Sequence, residues 1–78
     1  MTKADTYFRQ FEEAIETSRA MLIIEMASLQ AKDHQENLPA EQVERQYQWI
    51  RRHYEIRCLR AEQDWRYRNM AEELEGGV

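Results

Sequence analysis

Chemistry in this 78-residue chain would need its carboxylates, imidazoles, thiol or guanidinium groups at a usable spacing. Glu12, Glu13 and Glu16 form the densest acidic group. Carboxylates in the first half of a helix complement the positive end of its dipole, so these three read as a solvated face. A helical di-metal centre needs glutamate three residues before histidine on facing helices. Here Ala31 precedes His34 at that spacing and Ile50 precedes His53, so the pattern is absent. His53 and Cys58 lie five apart, which puts them on different faces of a helix and denies them a catalytic dyad or a metal pair. Cys58 then reads as a small apolar core residue, and His53, close to Arg57 and Arg60, as a solvated one. The glycines, Gly76 and Gly77, stand near the end of the sequence and cannot form a phosphate-cradling loop. Arg51, Arg52 and Arg57 could line a pocket shared between protomers, but nothing marks one. No catalytic, cofactor-binding or metal-ligating residue is assigned, and the chain reads as a non-enzyme.

The arginines carry a different message. Arg45, Arg51, Arg52, Arg57, Arg60, Arg66 and Arg68 interleave with Tyr47, Trp49, Tyr54, Trp65 and Tyr67. Helical RNA binders hold phosphates and stack bases with this mixture. Protein interfaces concentrate the same residue types at their hot spots. Two details favour protein: lysine is absent from the set, and Glu41–Arg45, Glu62–Arg66 and Asp64–Arg68 stand at i,i+4 in the favourable order.

These side chains must be placed by helices. From Leu38 to Glu75 there is no glycine and one proline, Pro39. At about 100° per residue, Val43, Tyr47, Ile50, Tyr54, Cys58, Ala61 and Trp65 share one narrow arc. Trp49, Ile56, Leu59, Tyr67, Met70 and Leu74 fall on the opposite side. The first half offers Thr2 as an N-cap, with Asp5 closing a capping-box variant. Its main stripe is Ala4, Phe8, Phe11, Ile15, Leu22, Met26 and Leu29, widened by Tyr7, Ala14, Met21 and Ala31. Ala20, Ile23, Ile24 and Ala27 point away from that stripe as a second contact patch. The spacing predicts helix 1 over about 3–33, a loop over 34–38 with Asn37 or Leu38 as the next cap, and helix 2 over about 39–75, ended by Gly76–Gly77. A short loop between long helices makes them antiparallel neighbours. Helix 2 should overhang by roughly two turns, at ~1.5 Å per residue.

Composition bounds the rest. The length allows one domain, 1–78, with a marginal core. A charged fraction of 33% suggests disorder, but 42% apolar residues at helical spacing argue against it. The net charge of −4 conceals an asymmetry: residues 1–38 hold four basic and seven acidic side chains, whereas 45–68 hold seven arginines against Glu55, Glu62 and Asp64. A lone cysteine excludes an internal disulfide and suits a reducing compartment. No signal-peptide pattern is visible, and the longest apolar run, Ala20 to Ile24, is far below the ~20 residues that cross a bilayer. A cytoplasmic protein without membrane contact is expected.

The expected fold is all-α, an antiparallel two-helix hairpin dimerising into a four-helix bundle. The expected function is a small protein–protein interaction module: an adaptor, inhibitor or chaperone-like regulator without cofactor. Trp49, Ile56, Tyr67 and Met70 would form its recognition face, with Arg45, Arg52, Arg60 and Arg66 as polar rim. Ala20, Ile23, Ile24 and Ala27 would form the dimer interface. The alternative is an RNA- or DNA-binding hairpin dimer acting as a regulator. Compact acidic hairpins occur among phage-encoded inhibitors of host machinery and among secretion chaperones, an association of fold alone.

Overall fold

A computed structural model describes residues 2–76. Two helices, α1 (Lys3–Glu36) and α2 (Ala40–Gly76), pack side by side as an antiparallel hairpin. At the start of α1, the Asp5 backbone N–H donates to Thr2 Oγ1 (3.2 Å) and the Thr2 N–H donates to Asp5 Oδ2 (3.4 Å). This capping box satisfies two donors that the first turn leaves without helical partners.

The connection is shorter than the spacing predicts. Helix α1 continues through His34 and Gln35 to Glu36, because no proline or glycine interrupts it before Asn37. Asn37 then takes the left-handed conformation (φ 51°, ψ 60°), and its N–H donates to the Asp33 carbonyl (2.8 Å). Asparagine tolerates that conformation better than other non-glycine residues, so Asn37 ends α1 rather than starting α2. Pro39 opens α2 instead: its carbonyl accepts from the N–H groups of Gln42 (3.0 Å) and Val43 (3.1 Å). At the far end α2 includes Gly76, while Gly77 lies outside the described residues.

The longer α1 removes most of the expected overhang. Helices of 34 and 37 residues differ by three residues, less than one turn. Lys3 accordingly reaches Glu72 (3.7 Å). Met70 and Leu74 are still exposed, because they lie on the outer side of α2 and not because they project beyond α1.

The inner stripe of α2 packs on α1 as the periodicity requires. Ile50 is buried, and Val43, Tyr47, Tyr54, Cys58, Ala61 and Trp65 are half-buried. From α1, Leu29 is buried and Phe11, Ile15, Leu22 and Met26 are half-buried. Ala4 and Phe8 of the expected stripe are exposed, as are Met21 and Ala31. A single neighbouring helix covers a narrower arc than a full core would. Phe11 stacks on Trp65 (centroids 4.9 Å apart, 20° between planes), and Phe8 leans against both rings. Ser18 fills the gap between Ile15 and Leu22, and its hydroxyl donates to the Ala14 carbonyl (2.8 Å). Among the described residues no helix is long and apolar enough to cross a membrane.

Candidate interaction surface

Helix α2 uses one side for α1 and leaves the other bare. Trp49 is 56% exposed, Tyr67 67% and Met70 54%, with Ile56, Leu59 and Leu74 beside them. From Trp49 to Leu74 this stripe runs ~37 Å at 1.5 Å per residue. Burying one such side chain is worth ~1.5–3 kcal/mol, so the bare stripe holds a large unused driving force for association. Trp49 has a ring neighbour on its own helix: its ring lies 3.8 Å from the His53 ring, centroid to centroid, one helical turn on. His53 is therefore half-buried beside a tryptophan rather than fully solvated.

The arginines divide into two groups. Arg45 pairs with Glu41 (4.0 Å), Arg66 with Glu62 (2.7 Å) and Arg68 with Asp64 (3.2 Å), the three i,i+4 pairs read from the spacing. Arg68 also donates to the Gln10 side chain across the hairpin. Arg57 crosses to α1 and donates to Glu25 Oε1 (3.2 Å), while its Nη1 is buried with no acceptor. Arg51, Arg52 and Arg60 are exposed and make no ion pair among the described residues. Of the expected rim, then, Arg45 and Arg66 stand beside carboxylates of their own helix, and Arg52 and Arg60 have no ion-pair partner among the described residues. A shallow hollow of about 540 Å³ beside Trp49 is lined by Arg45, Arg51 and Arg52 together with Gln48 and Glu55.

Comparison with known protein families, curated proteins and solved structures finds no match.

On α1 the four residues expected at a dimer interface are all exposed: Ala20, Ile23 (61%), Ile24 (64%) and Ala27. They do not act as one patch with α2. Ile24 joins Trp49, Leu29, Leu38 and Ile50 around a groove of about 450 Å³ that spans both helices near the turn. Ile23, one residue away, does not line it. The sequence reading missed this grouping because it treated each helix's outer face separately. The grouping comes from the hairpin itself, which brings Ile24 and Trp49 to the two sides of one groove. Glu25 and Ser18 were missed as well: both sit on the inner face of α1 at positions the apolar periodicity leaves blank.

Proposed function

We propose that the protein is a non-enzymatic interaction module that works as a homodimer and presents the outer side of α2 to another protein. The observation that carries this reading is the exposed run of Ile56, Leu59, Tyr67, Met70 and Leu74 on a helix whose opposite side already packs on α1. A hairpin cannot cover both sides of one helix, and an apolar stripe rimmed by arginines suits a protein hot spot. The carboxylates beside Arg45 and Arg66 on their own helix support the same reading, because they lower the local positive field that would attract phosphate. A partner would be recognised by a complementary apolar groove with acidic or amide side chains at its edge. An adaptor, inhibitor or chaperone-like regulator acting in the cytoplasm fits such a surface.

The test is capture from the native cell extract with full-length baits. Wild-type protein should retain a partner that both Ile56→Asp and Met70→Asp lose, with helicity and self-association unchanged. Variants that unfold or lose their own dimer would show that the stripe is a homodimer core.

One observation favours nucleic acid as a second reading: the hollow beside Trp49 gathers Arg51 and Arg52, both without ion-pair partners, next to a ring that could stack on a base. Its signature would be affinity falling with salt at a log–log slope of ~−0.7 per phosphate neutralised on a single strand. The protein reading predicts weak binding that disappears at ~0.15 M salt, where exposed charges are screened beyond ~8 Å.

A further inference from the structure

We infer that a second copy of the chain seats on the broad face holding the Ile24–Trp49 groove, so that two hairpins close into a four-helix bundle. The inference rests on the homodimer in the reading above and names the face that it uses, leaving the outer side of α2 to the other protein.

Surface area argues for an occupant as large as another hairpin. A compact protein of 9.5 kDa exposes ~5,000 Å² by the usual mass scaling, whereas this hairpin exposes 6506 Å². Its Cα radius of gyration is 17.9 Å, against ~11–12 Å for a compact chain of this length. The Cα extents of 62 × 21 × 8 Å describe a slab one helix thick. Stacking two such slabs would remove at most ~4,600 Å² by the same scaling, and the ~2,000–5,000 Å² of obligate homodimers falls largely within that bound. Among the described residues, one hydrophobic side chain of each helix, Leu29 and Ile50, is buried without it.

Geometry selects the face. Pairing two hairpins face to face needs a surface contributed by both helices, and the groove between Ile24 and Trp49 is one. It also carries knob and hole together: Ile24 and Trp49 protrude, 64% and 56% exposed, beside a hollow of about 450 Å³. A twofold contact presents the same patch on both sides, so each copy's knobs can meet the other's hollow. Charge sets a limit on the contact. Glu25 is already paired with Arg57, which leaves Lys32 as the charge of the groove lining beside neutral Gln42 and Gln46, while Arg51 and Arg52 flank Trp49 on its other side. These exposed positive charges are screened by salt, so the contact between copies should strengthen as ionic strength rises. Trp49 thereby belongs to the contact between copies, with Tyr67 at the same angle five turns on, and Leu59 and Met70, turned ~60–80° further round α2, belong to the outside protein.

Ile23 and Ile24 provide a matched test, since they are equally exposed and ~100° apart around α1. Sedimentation equilibrium and thermal melts of the full chain over a hundredfold concentration range should show wild type and Ile23→Asp at twice 9.5 kDa. Their Tm should rise by about 4 °C per tenfold concentration. Ile24→Asp should associate at least 100-fold more weakly and sediment as a single chain, whether its helices persist or melt. A single-chain mass for wild type with a concentration-independent Tm overturns the inference. So does any result in which Ile24→Asp remains dimeric, or in which Ile23→Asp dissociates equally. Met70 lies outside the groove and ~60° round α2 from Trp49, so loss of a captured protein through Met70→Asp with the dimer intact bears only on the earlier reading.

Discussion

Ser18 and Glu25 stand on the packed face of α1 where the apolar repeat is interrupted, and each is accommodated differently. Ser18 bonds back to its own helix, so it asks nothing of α2. Ser18→Ala should therefore be neutral or stabilising by up to about 0.5 kcal/mol in urea denaturation, since alanine is the better helix former. Ser18→Leu should cost about 1–3 kcal/mol by overpacking. Glu25 is held by Arg57 with both side chains roughly 70% covered, at 28% and 29% exposure. Glu25→Ala would leave the guanidinium half-buried without its carboxylate, and a loss of about 1–2 kcal/mol is expected after discounting for solvent. Lys3→Ala, at an ion pair whose lysine is 70% exposed, should change stability by less than about 0.5 kcal/mol. Single residues were the least legible scale in the sequence. The i,i+4 arginine pairs follow from spacing alone, but Glu25–Arg57 depends on a register between helices that periodicity does not reveal.

Elements were far more legible. The two arcs on α2 follow from 3.6-residue periodicity, and the burial pattern reproduces both, from Val43 to Trp65 inside and from Trp49 to Leu74 outside. The capping box at Thr2 was readable because its two residues sit three apart, and Thr2→Ala should lower stability by about 1 kcal/mol. The turn was harder. Asn37 suits either an N-cap or a left-handed C-cap, and only the backbone decides between them. Its positive φ now gives a sharp expectation. Asn37→Gly should match or exceed wild type in thermal stability, whereas Asn37→Val should lose about 1–2 kcal/mol, because a β-branched residue is strained in that conformation. Equal stability for the two variants would contradict the αL assignment.

At the scale of the molecule, two helices give a slab and not a closed core. The apolar surface of the chain exceeds what the hairpin can cover, and the surplus gathers on the outer side of α2 and at the Ile24–Trp49 groove. The surplus was legible in the sequence as two stripes on one helix. Its division between two faces of the hairpin was not, because that depends on which residues of α1 stand level with which residues of α2. The central claim is that the outer side of α2 meets a different protein. It can be read directly by replacing Leu59, 54% exposed in the middle of that side, with a photo-crosslinking benzophenone amino acid and irradiating cells that express the full chain. The account predicts a discrete adduct containing one second protein, absent when Ile56→Asp is added. An adduct of the chain with itself at twice its own mass, or with nucleic acid alone, would contradict it.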